Sequence, residues 1–190
     1  MRSDQKSKHQ LPTDDKCMMP IPWRFVSSWN CTACGMCCKS YDVVLSFPEW
    51  VGIVRSCGVG VTEPGINKFH LRRRNNGSCV FLCKFFDRWL CNLQNMKPIA
   101  CKLWPFKILD RPRFGGPNEA VYNYGDRRLF VYVDPLCRGI RWGNPTQEFT
   151  RKTTTELVEI ALGMRKKQYY STSRISYRPV YFGARVRKII

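Results

Sequence analysis

The chain has 190 residues, 32 basic and 14 acidic, for a formal net charge of +18. Its hydrophobic content of 44% and aromatic content of 13% exclude a wholly disordered polymer and leave room for one domain with a core and tails. A surface this basic repels itself unless it faces nucleic acid, lipid headgroups or an acidic protein, and no stretch is long and apolar enough to span a membrane.

Eleven cysteines, an odd number, fit a complete internal disulfide set badly. The polar opening Met1–Gln10 has no apolar run for a signal peptide, and Asp4, Asp14 and Asp15 disfavour a transit peptide. The expected setting is the reducing cytoplasm, where clustered thiols point to metal or redox chemistry.

Residues 1–22 read as a polar tail in which Pro12, Pro20 and Pro22 discourage a helix. Trp23, Phe25, Val26 and Trp29 then lead into Cys31-Thr32-Ala33-Cys34-Gly35-Met36-Cys37-Cys38. Four thiols in eight residues would oxidise or crosslink unless a metal, a disulfide or burial occupies them. Two-residue gaps let a tight turn aim successive sulfurs at one centre, and Gly35 permits a positive φ there. Cys37 and Cys38 are adjacent and expected to diverge, so the stretch is expected to feed two centres. Tyr41–Leu45 is β-prone, and Ser46-Phe47-Pro48-Glu49 is a capping-box start for a helix to about Cys57, with Gly58 ending it. Thr62–His70 is expected to begin a second short helix. The run Arg72–Arg74 is more commonly a solvated face than a phosphate site, and His70 has no neighbour at ligand spacing.

Cys79, Cys83, Cys91 and Cys101 follow within 23 residues, among Phe81, Phe85, Phe86, Trp89, Trp104 and Phe106, which would shield a site from solvent. Residues 107–118 read as a loop. Ala120–Tyr124 and Leu129–Val133 form a hairpin across Gly125-Asp126, from which Cys137 returns towards the other thiols. Asn144-Pro145-Thr146-Gln147 starts a helix expected to reach about Tyr170, with Leu157, Ile160, Ala161 and Met164 on its core face. From Ile160 to Ile190 no acidic residue occurs, and Arg165, Lys166, Lys167, Arg174, Arg178, Arg185, Arg187 and Lys188 interleave with Tyr169, Tyr170, Tyr177, Tyr181 and Phe182. Cations with aromatics can neutralise phosphates and stack on bases, so these eight cations are the candidate nucleic-acid contacts.

The combination Cys-x-x-Cys-Gly-x-Cys-Cys, Gly-x-Cys-Val-Phe-Leu, Cys91, Lys-Pro-x-x-Cys-x-x-x-Pro-Phe and Cys137-Arg138-Gly139 resembles the YkgJ-type CxxCxxCC cysteine-cluster family, described as zinc- or iron-chelating. The resemblance covers roughly residues 25 to 165. It implies metal ligation by Cys31, Cys34, Cys37, Cys38, Cys79, Cys91, Cys101 and Cys137, leaving out Cys17, Cys57 and Cys83. Lys97 and Lys102 stand where the family commonly has Arg. Lysine cannot reproduce a bidentate guanidinium contact. The match is weak for activity, although some members resemble a flagellin lysine methylase.

Cys31-x2-Cys34-x2-Cys37 repeats the first three positions of the bacterial ferredoxin run, which favours a [4Fe-4S] iron–sulfur centre, with zinc as the alternative. Eight thiols suit two four-cysteine centres of either kind. The expectation is an α+β protein with a single small metal-centred domain at 23–170, carrying short helices, a β-hairpin and a long C-terminal helix. A basic aromatic tail at 171–190 follows it, and the basic surface docks on RNA or a ribonucleoprotein. The alternatives are a redox or methyltransferase-like enzyme using the cluster, and a structural zinc protein that binds only protein partners. No nucleotide loop, nucleophile pair or acid–base couple is visible, so no catalytic residue is assigned.

Overall fold

The computed structural model describes residues 19–93, 96–173 and 175. The elements run β1 (Ile21–Pro22), a 3-10 turn at Trp23–Phe25, β2 (Val26–Trp29), α1 (Met36–Ser40), β3 (Val44–Leu45) and α2 (Phe47–Cys57). Two hairpins follow, β4 (Thr62–Gly65) with β5 (Lys68–Leu71) and β6 (Leu82–Phe85) with β7 (Arg88–Cys91). Then come α3 (Ile99–Leu103), β8 (Phe106–Leu109), α4 (Pro117–Ala120), β9 (Val121–Tyr124), β10 (Arg127–Val133) and β11 (Ile140–Trp142), and a π-helical turn at Phe149–Thr154 runs into α5 (Thr155–Ala161). The chain is thus α+β, and among the described residues every strand pairs antiparallel.

Strand β10 organises the larger half by pairing with β1, β8 and β9. Its side chains alternate in the way a pleated strand requires. Leu129, Val131 and Val133 face a core shared with Trp23, Trp29, Phe106, Phe149, Leu157 and Val158. Phe130 and Tyr132 face the other side, against Ala120 and Phe114. The smaller half has its own core of Leu45, Ile53, Leu71, Cys79, Phe81 and Leu93.

Local signals account for several elements. Helix α2 starts at Ser46, whose backbone N–H and hydroxyl both donate to Glu49 Oε2, at 2.9 and 2.8 Å. It ends at Gly58, which has positive φ (84°) but extended ψ (161°) rather than the left-handed helical pair. The two-residue turn Gly125-Asp126 joins β9 to β10. Strand β3 keeps only Val44–Leu45 of the expected Tyr41–Leu45 run.

Three expectations are corrected. Thr62–His70 is the β4–β5 hairpin, not a helix: β3 adds to β5 as a third strand, and Asn67 takes the turn at φ 57°. Pro64 is tolerated because β4 lies at the edge of that sheet. Residues 107–118 are not all loop. Lys107–Leu109 belong to β8, drawn into the sheet by β10, and Pro117 and Asn118 open α4. The C-terminal helix stops at Ala161 and not at Tyr170. Gly163 adopts φ 75°, its N–H reaches the Ile160 carbonyl at 3.1 Å, and the Met164 N–H reaches the Glu159 carbonyl at 2.8 Å. Those two bonds are a Schellman stop, and they leave Met164 65% exposed, off the core face. The cap of this helix is Thr146, two residues after Asn144, with its Oγ1 accepting the Phe149 N–H at 3.2 Å. The π turn widens around the Thr150 carbonyl, which accepts the hydroxyls of Tyr122 and Thr155 at 3.1 and 3.4 Å.

Candidate metal centre

The cysteine loop bends through two left-handed residues, Ala33 (φ 53°) and Gly35 (φ 73°), on either side of Cys34. Glycine is required at 35 for a second reason: a Cβ there would lie 2.7 Å from Trp89 Cβ. The β6–β7 hairpin clasps the loop, with the Trp89 N–H donating to the Ala33 carbonyl at 2.8 Å and Lys39 Nζ 3.9 Å from the Trp89 ring. Cys37 and Cys38 lie in the first turn of α1 with their sulfurs 3.9 Å apart. The expectation that adjacent thiols diverge is therefore revised.

The remaining thiols arrive from separate elements. The Cys79 N–H bonds the Cys38 carbonyl at 2.8 Å, and Cys79 itself is buried. Cys91 ends β7, and Cys101 lies on α3. The start of α3 is tied to α2 because Glu49 Oε1 accepts the Ile99 N–H at 2.7 Å. The chain leaving β10 brings in Cys137, whose sulfur accepts the Trp29 indole N–H at 3.3 Å. A Cβ at Gly139 would lie 2.3 Å from the Asn30 carbonyl oxygen, so the turn bearing Cys137 approaches the loop bearing Cys31 as closely as glycine allows.

These positions fall into two neighbourhoods. Cys31 and Cys137 pack against the larger core, and Cys137 interacts electrostatically with Cys34 and Cys31. Cys38, Cys79 and Cys91 belong to the smaller core, and Cys101 interacts with Cys91, Cys37 and Cys79. Burial pushes the thiols of Cys31, Cys79, Cys91, Cys101 and Cys137 up from their ordinary value. Hydrogen bonding between Cys37 and Cys38 holds the first down and pushes the second up. Lys97 lies in the midst of the group. Burial alone would lower its ammonium, but the thiols of Cys31, Cys101, Cys91 and Cys37 outweigh that and hold it up. Among the described residues it forms no ion pair with a carboxylate.

Among the described residues, no three Cys, His, Asp or Glu side chains converge closely enough to hold a metal ion as they stand. The donor chemistry nevertheless fits zinc or iron: the set is entirely thiol and half-buried to buried, with a cation among the sulfurs to offset thiolate charge.

Cys57 is exposed at the end of α2 and Cys83 is half-buried on β6, while Cys17 lies outside the described residues. The aromatic shell is smaller than expected. Phe81 and Phe106 are buried beside the thiols, but Phe85 and Phe86 protrude at the β6–β7 tip, 38% and 83% exposed. The three arginines 72–74 make specific side-chain contacts while Arg72 and Arg74 stay exposed and Arg73 is half-buried. Arg72 reaches Glu63 and the Gly60 carbonyl, Arg73 reaches Asp42 and the Lys39 carbonyl, and Arg74 reaches the carbonyls of Val80 and Leu82. They brace α1 and the Cys79 segment. Of the candidate nucleic-acid contacts, Arg165 is engaged by Glu159 at 2.6 Å and Glu156 at 3.8 Å, and Lys166 and Lys167 are exposed. Arg174, Arg178, Arg185, Arg187 and Lys188 lie outside the described residues. Lys97, noted in the sequence only for standing where the family commonly has Arg, is the cation that interacts with the thiols.

Fold and site together define a small α+β protein with cysteine thiols set against each of its two main cores. The family model CxxCxxCC, described as "Putative zinc- or iron-chelating domain", matches residues 30–138, and the chain belongs to this family. No curated protein and no solved structure matches the chain. Among the described residues no helix is long and apolar enough to cross a membrane.

Proposed function

We propose that this protein is a metal-chelating module with two thiolate centres, one drawing on Cys31, Cys34, Cys37 and Cys137 and the other on Cys38, Cys79, Cys91 and Cys101. What carries this proposal is that Cys31 and Cys137 pack on the larger core and Cys38, Cys79 and Cys91 on the smaller one, with Cys34 facing Cys137 and Cys101 facing Cys91 electrostatically. Cys37, in contact with Cys38 and interacting with Cys31 as well, joins the two groups. The metal-binding unit spans 23–170, with 1–22 and 171–190 flanking it in a reducing cytoplasmic setting. The ferredoxin-like spacing at Cys31–Cys37 favours [4Fe-4S] over zinc. The deciding experiment is anaerobic purification with metal and acid-labile sulfide analysis and a visible spectrum. Iron with sulfide and a broad absorption band supports clusters. Zinc without sulfide makes both centres structural, and a metal-free, well-folded protein overturns the assignment.

A second layer rests on the net charge of +18: the basic surface associates with RNA. Truncation after Ile175 removes Arg178, Arg185, Arg187 and Lys188, and is expected to spare metal content while lowering RNA affinity and flattening its salt dependence. Equal affinity and an equal salt slope would remove the tail from RNA binding.

A further inference from the structure

One wall of the cysteine loop, at Cys31, Thr32 and Ala33, also bounds a cavity of about 600 Å³, within the range of small-molecule sites. Three exposed arginines are among the residues that line it, from separate segments: Arg88 at the start of β7, Arg138 beside Cys137, and Arg141 on β11. Two carboxylates, Asp87 and Glu148, also line it. Glu148 already has a cation, Lys152 Nζ at 3.8 Å, and among the described residues none of the three arginines pairs with a carboxylate. The charge balance of the cavity is therefore positive.

The arginines stand on braced backbone. Arg141 is opposite Ser28 in the β2–β11 pair, and its carbonyl accepts the Ser27 hydroxyl at 3.0 Å. Arg138 precedes Gly139, which has no room for a side chain against Asn30. Arg88 is in register with Phe85 at the end of the β6–β7 hairpin. Groups mounted on rigid elements lose little freedom on binding, and guanidiniums match the paired oxygens of carboxylate and phosphate. We infer that this cavity binds a small oxyanion-bearing molecule, carboxylate or phosphate, against the outer wall of the Cys31 loop. The inference goes beyond metal chelation and does not depend on which metal the thiols hold.

The test is isothermal titration of the full-length protein at fixed ionic strength, with pyrophosphate and citrate as separate probes. Saturable one-site binding of either probe is expected, and the tighter one identifies the oxyanion source. Arg138→Gln and Arg141→Gln should each weaken it roughly tenfold to a hundredfold, and Arg141→Lys should weaken it while keeping the charge. Arg127→Gln, on β10 and outside the cavity, should leave it unchanged. Non-saturable heats for both probes, or equal losses in Arg127→Gln and Arg138→Gln, would overturn the site. Metal content measured on the same samples keeps a failure here distinct from a failure of the thiolate assignment.

Discussion

Glu156 on α5 is fully buried, and its carboxylate binds the segment that follows the helix. Oε2 accepts the N–H groups of Tyr169 and Tyr170 at 2.7 and 2.8 Å, and Oε1 accepts the N–H and hydroxyl of Ser171 at 3.1 and 2.6 Å. The Ser171 carbonyl in turn accepts the Cys31 N–H at 3.0 Å, so the carboxylate is one hydrogen bond removed from the cysteine loop. Glu156→Ala would leave three backbone donors and a hydroxyl without their acceptor. At about 1.5–3 kcal/mol for each bond to a charged group, and with water recovering part of the loss, the net cost is about 4 kcal/mol. That is a large share of a typical domain stability of about 5–15 kcal/mol. Glu156→Gln keeps the shape but turns an amide NH2 towards N–H donors, and should cost about 2 kcal/mol. Urea unfolding of the three proteins measures both values, and hydrogen exchange should show the Tyr169–Ser171 amides losing protection first. A Glu156→Ala protein within about 1 kcal/mol of the parent would refute the claim that the carboxylate pins this segment.

Cys34→Ser and Cys101→Ser should each lower bound metal and stability, whereas Cys57→Ser and Cys83→Ser should retain full metal in the same elemental analysis. Gly35→Ala, forced to positive φ with its Cβ against Trp89, should cost about 2–3 kcal/mol by thermal unfolding. Lys97→Met removes the cation among the sulfurs; metal affinity measured by chelator competition should fall about tenfold, and an unchanged value would separate Lys97 from the centre. The pH dependence should differ in sign between the two forms. Thiols raised by burial above their ordinary value of 9.0 bind more protons folded than unfolded, so the metal-free protein should lose stability as pH rises past about 9. The metal-loaded protein should instead lose stability as pH falls, because protons compete with metal for sulfur. Parallel pH titrations of the two forms check both signs.

The features legible from local sequence lie within a few residues along the chain. Ser46 and Glu49 start α2, and Gly125-Asp126 turns β9 into β10. Gly35 turns the cysteine loop, and the motif spacing marks the family. Gly163 is a local stop signal too, although the apolar spacing runs on to Met164. The other features depend on partners distant in sequence. Thr62–Leu71 is a hairpin because β3 extends its sheet, and Phe106–Leu109 is a strand because β10 pairs with it. The arginines 72–74 read as a charge run until the carbonyls of Lys39, Val80 and Leu82 are brought to them. The grouping of thiols was equally hidden. Cys137 joins Cys31 because β11 pairs with β2, while Cys79 joins Cys38 through one backbone hydrogen bond. A residue's type and spacing declare which chemistry it can offer, but its partners are chosen by how the two cores close, and that is a property of the packed chain as a whole.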